Sequence, residues 1–124
     1  MKSRLLITLL LGLSVGTVAA LARATDISGT WAFTVRLPDG DSQSTFVFKQ
    51  EGEKLTGTYS GPLGPASVTG TVKAADAVFS FTGKNNQGDS VSVDYTGKIV
   101  SSAKMTGTVD FHKGPPLEWT ATRK

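Results

Sequence analysis

From Trp31 onward, apolar and polar residues alternate in short runs. Trp31, Phe33, Val35 and Leu37 share one face, followed by Phe46 with Phe48, and then Leu55 with Tyr59. Val68 and Val72 continue the pattern, as do Phe79 and Phe81, the trio Val91, Val93 and Tyr95, then Met105, Val109 and Phe111, and finally Leu117 with Trp119. A period of two puts successive side chains on opposite faces of a strand, so each run predicts a strand with one apolar face. The intervening positions carry Thr, Ser, Lys, Asp and Glu, and threonine's branched side chain suits a pleated, solvated surface. Turn signals rich in Gly, Pro, Asn, Asp and Ser separate the runs, among them Pro38-Asp39-Gly40-Asp41, Gly61-Pro62-Leu63-Gly64 and Asn85-Asn86-Gln87-Gly88. Seven such breaks predict eight strands, at about 28–37, 42–50, 54–60, 66–73, 77–83, 89–99, 103–112 and 117–123. Tight sequential turns favour an all-β, antiparallel up-and-down meander, because a Greek key needs a long return connection.

A second pattern lies on the same face. An apolar–Thr–Gly motif recurs at Leu55-Thr56-Gly57, Val68-Thr69-Gly70, Phe81-Thr82-Gly83, Tyr95-Thr96-Gly97 and Met105-Thr106-Gly107. Glycine weakens a strand unless it permits a bend or a close approach, and closing eight strands into a barrel needs such bends. The expected architecture is therefore an eight-stranded barrel. The inward glycines also suggest space beside the aromatic side chains.

Composition changes the picture at the N-terminus. Lys2 and Arg4, the apolar stretch from Leu5 to Leu13 and the small residues leading to Ala24 fit a secretory signal peptide, with cleavage after Ala22 or Ala24. The expected organisation is a signal at 1–24 and one domain at 25–124, placed in the periplasm or secreted. Three of the 13 basic residues (Lys2, Arg4 and Arg23) precede Thr25 and none of the 10 acidic ones do, so ten of each remain. A balanced mature chain supplies no electrostatic case for a nucleic-acid partner. With no cysteine, neither a disulfide nor a lipid-modified N-terminal cysteine is available. An outer-membrane barrel is the competing architecture for this period. Most of the predicted strands fall short of the roughly 9–11 residues that a membrane strand needs, and no long loops gather at one end.

Gly29-Thr30-Trp31 on the first strand and Arg123 on the last resemble the closure signature of the lipocalin, fatty-acid-binding-protein and avidin superfamily. The resemblance implies that Arg123 covers Trp31 where the first and last strands meet. Leu55-Thr56-Gly57-Thr58-Tyr59 is similar to the third strand of avidins, which implies a ligand-facing hydroxyl at Tyr59. The other biotin partners of that family are mostly absent: Phe33 stands in place of its first-strand Asn, and Leu37 in place of its Ser.

Catalytic chemistry has little to draw on. His112 is the single histidine, and it shares an outward face with Asp110 near a strand end. Asp94 reads as an outward, solubilising residue. The spacing of the acidic residues fits no calcium loop, and no cofactor is expected. The reading is a non-enzymatic exported barrel that binds a small apolar molecule at its open end. Tyr59, Tyr95, Phe33, Phe48 and Trp119 are the expected lining, and Gly29, Trp31 and Arg123 the closure. The alternative is a protein-interaction module with a filled core. It is similar to small bacterial metalloprotease inhibitors that insert their N-terminus into the enzyme.

Overall fold

The computed structural model describes residues 25–124, and the expected signal peptide with both cleavage positions lies outside them. The strands are β1 Gly29–Leu37, β2 Gly40–Glu51, β3 Lys54–Ser60, β4 Ala66–Lys73, β5 Asp76–Lys84, β6 Ser90–Ser101, β7 Lys104–Asp110 and β8 Leu117–Arg123. Each pairs antiparallel with the next, and β8 returns to β1, so the meander closes into an eight-stranded barrel. Closure abolishes the free edges that an open sheet would present for aggregation.

Five strands depart from their predicted bounds, β1 and β5 by no more than one residue at an end and β2, β6 and β7 by up to two. β2 begins at Gly40, earlier than expected, because Leu37 pairs with Gly40 across a two-residue turn at Pro38-Asp39. β7 ends at Asp110 because His112 adopts a positive φ of 63° and cannot continue the ladder. The chain then passes through Gly114 and two prolines before β8.

Alternation delivers one continuous core. Twenty apolar residues are buried, and no polar or charged residue is buried among those described. Phe33 sits at the centre, with its ring centroid 4.3 Å from that of Phe46 and 4.9 Å from that of Trp119. Phe79 and Tyr95 stack at 5.0 Å, and Tyr59 and Phe81 at 4.1 Å. An eight-stranded barrel is just wide enough for side chains to fill, and here aromatic rings fill most of the lumen.

The strand glycines make this filling fit. Gly97 and Gly107 face each other across β6 and β7. A Cβ on Gly97 would lie 2.5 Å from Trp119 Cζ2, and one on Gly107 would collide with the Thr96 carbonyl oxygen. The glycine pair lets the two strands bend inward and seats the Trp119 indole, whose Nε1–H donates to Thr108 O at 2.9 Å. The space that the sequence left beside the aromatics is occupied here by a side chain.

The two barrel ends differ. The N-terminal segment crosses one end, the floor, where Ile27 is fully buried. Ile27 N–H donates to Gln50 Oε1, and Ile27 O accepts from Trp31 Nε1, both at 2.9 Å. The turns β1–β2, β3–β4, β5–β6 and β7–β8 surround the opposite end, the mouth.

Candidate functional site

A cavity of about 270 Å³ opens at the mouth. Val35 and Leu37 from β1, Leu63 from the β3–β4 turn and Phe111 after β7 form its apolar walls. Tyr59, Tyr95, Ser42 and Ser44 supply hydroxyls, and no charged side chain lines it. The site is thus an apolar cup with a few polar groups, as small-molecule sites usually are.

The β3–β4 turn is folded over this cup. Gly64 N–H donates to Gly61 O, and Lys84 N–H on β5 donates to Leu63 O, each at 2.9 Å. Leu63 packs against Gly83, where a Cβ would approach the Leu63 Cβ to 2.8 Å. Leu63 N–H also donates to Tyr59 Oη at 3.3 Å. One lone pair of the Tyr59 hydroxyl is thereby engaged, and its own proton is left to donate elsewhere. Burial raises the Tyr59 pKa, and the Leu63 N–H opposes that shift.

Tyr95 is the deeper phenol, only 2% exposed, with its ring among Phe33, Phe79 and Phe81. Among the described residues its hydroxyl has no hydrogen-bond partner, and none of the fully enclosed side-chain oxygens lacks one. Tyr95 lines the cavity. Burial, and after it the neighbouring Tyr59 phenol, push the Tyr95 pKa far above the ordinary tyrosine value. It stays a neutral donor at any physiological pH.

Of the expected lining residues, the structure brings Tyr59 and Tyr95 together at the cup. Phe33, Phe48 and Trp119 lie elsewhere. Phe33 and Trp119 stack in the barrel centre, and Phe48 packs on Phe79 at 5.1 Å. They face inward as their alternation requires, but close packing leaves them no free surface at the mouth. The sequence reading missed Leu63, Val35, Leu37, Ser42, Ser44 and Phe111 as walls. Leu63 carried a signal: an apolar residue inside a Gly-Pro turn has no turn role and needs somewhere to be buried.

Gly29, Trp31 and Arg123 gather at the floor. Arg123 Cζ lies 4.7 Å from the Trp31 ring centroid. Its guanidinium donates to Ser28 O at 2.5 Å, Ser102 O at 2.8 Å and Asp26 O at 3.3 Å. A Cβ on Gly29 would come within 2.7 Å of Arg123 Nη1, so glycine makes room for the clamp.

On the outer wall, His112 Nε2 lies 2.7 Å from Asp94 Oδ2, and His112 N–H donates to Asp110 Oδ1 at 2.7 Å. Asp94 and Asp110 are direct cross-strand neighbours, so Asp94 is the imidazole's partner and not an isolated surface charge. All three side chains are about half exposed, and none lines the tyrosine cup. Among the described residues no group of three acidic, His or Cys side chains is arranged to hold a metal ion.

No protein-family model matches the chain, and no curated protein does. Among solved structures, a redesigned beta barrel is similar, with a TM-score of 0.62 at 21% identity over 79% of this chain and 91% of that one. That likeness is one of fold: a closed, eight-stranded antiparallel barrel.

Proposed function

We propose that this chain is an exported, non-enzymatic barrel that binds one small, largely apolar molecule in the cup at its mouth. The cup with Tyr59 and Tyr95 on its walls is the observation that carries this reading. Its volume of about 270 Å³ falls just below the usual range of ligand pockets, roughly 300–1,000 Å³. A dry apolar cavity of about 150 Å³ already accepts benzene, so the occupant is of single-ring size and not a long acyl chain. The filled lumen beneath supports a shallow seat and excludes a deep one. The avidin-like strand Leu55–Tyr59 supports a ligand-facing role for Tyr59. The lack of any carboxylate, imidazole or lysine on the cup walls supports binding without turnover. Export rests on the basic start, apolar stretch and small-residue end of the first 24 residues. The polar outer wall supports a barrel that works outside lipid.

The filled core also favours a second reading, an interaction module. Its inhibitor version would have to draw the N-terminal segment away from the floor, where Ile27 and Arg123 hold it.

Native mass spectrometry of protein purified from its own source tests the first reading. The expected result is one bound molecule per chain, lost when Ser42→Phe fills the cup while the barrel stays folded by circular dichroism. Repeated ligand-free spectra, together with no shift of the Tyr59, Leu63 and Tyr95 resonances in a fragment screen, would remove it.

A further inference from the structure

We infer that the cup selects neutral molecules bearing a hydrogen-bond acceptor, such as a ketone, ester or lactone carbonyl on a small apolar skeleton, and rejects carboxylates. The inference rests on the binding reading above and names the class of ligand.

The first observation is the Tyr95 hydroxyl. It sits on a residue that is 2% exposed, lines the cup and has no hydrogen-bond partner among the described residues. The phenol ring is buried but its hydroxyl borders the cavity, so water or a ligand there must supply the hydrogen bond that the protein does not. Beside it, Tyr59 accepts from Leu63 N–H and keeps its own proton to give. Two phenols thus present donors to one small space. A carbonyl oxygen has two lone pairs and can receive both. The apolar walls cover whatever skeleton carries that oxygen.

The second observation is charge. No lysine, arginine or histidine lines the cup. The surrounding turns and strand ends carry Asp39, Asp41 and Asp89 against Arg36, Lys84 and Lys113, so the rim offers no net positive field. A carboxylate entering the cup would lose its hydration and gain only two neutral donors, and a buried charge without a partner is costly. The same walls would therefore discriminate against a free acid. A site whose buried donors need an acceptor also discriminates against a hydrocarbon of the same shape, which leaves them unpaired.

Three probes of one size separate these claims: acetophenone, ethylbenzene and benzoate, titrated at pH 7 and followed by protein NMR. The expected order is acetophenone tightest, ethylbenzene weaker by roughly tenfold for the lost hydrogen bonds, and benzoate weakest. In Tyr95→Phe the ratio of acetophenone to ethylbenzene affinity falls towards one. That hydroxyl has no protein partner to lose, so the barrel should fold, and its melting curve checks this. Tyr59→Phe provides a second, independent lowering of the same ratio. Ethylbenzene binding as tightly as acetophenone, or benzoate matching either, would overturn the inference and leave the cup a ligand site. No binding by any probe would overturn both readings.

Discussion

Single residues decide how this barrel closes and where it stays open. Gly107 shows the first. Its strand meets β6 so closely that a methyl group would collide with the Thr96 carbonyl oxygen. Backbone cannot yield as a flexible side chain does, so Gly107→Ala should cost about 1–3 kcal/mol, the usual range for overpacking. That lowers Tm by about 5–20 °C for a domain of this size, and thermal denaturation measures it. An unchanged Tm would mean that the strand straightens freely and that the bend is incidental. Tyr95 shows the second. Its ring belongs to the core, yet its hydroxyl has no place there, and the residue is satisfied only because the mouth is not sealed. Alternation identified Tyr95 as inward-facing. It could not say that Phe33 and Trp119, equally inward, would lie too deep to line the cavity at the mouth, because depth along a strand depends on register with its neighbours.

At the scale of elements, the N-terminal segment and the β3–β4 turn do work that strand patterns do not reveal. Ile27 lies outside every strand and is fully buried as the floor of the core. Truncating a buried Ile to Ala costs about 2–5 kcal/mol, so Ile27→Ala should shift the urea midpoint strongly downward. The interaction-module reading instead expects this segment to serve a partner, with stability unchanged. Arg123 reinforces the floor by donating to three backbone carbonyls on two segments. Lysine lacks the planar fork that such bonding uses, so Arg123→Lys is not a conservative change. At the other end, the β3–β4 turn is a wall of the cup as well as a reversal, held by Lys84 and Tyr59. The sequence marked the β3–β4 segment as a turn and the N-terminal one only as the part that an inhibitor would insert. Their roles depend on where the barrel ends happen to bring them.

For the whole molecule, burial of tyrosine sets an alkaline limit. The folded-state pKa of Tyr95 is raised, while its unfolded value is near 10. Between these two values the unfolded chain has lost the proton and the folded one keeps it. The Tyr95 contribution to stability is therefore constant up to about pH 10 and falls above it, by up to about 1.4 kcal/mol per pH unit. Urea unfolding between pH 8 and pH 12 reads the slope, and Tyr95→Phe should reduce it. Eight alternating runs, tight turns and inward glycines were enough to determine the closed meander, because period-two patterning and short connections leave few other ways to bury one apolar face. The contact of Arg123 with Trp31 was expected from the resemblance to the lipocalin and avidin superfamily, and closure brings β1 beside β8 to allow it. Only the tertiary structure decided that the lumen is filled, that the free space lies at one end, and that Leu63 and Tyr95 border it. Those outcomes follow from how rings from different strands interlock and where chain ends and turns fold back. The order of residues along any one strand does not contain that information.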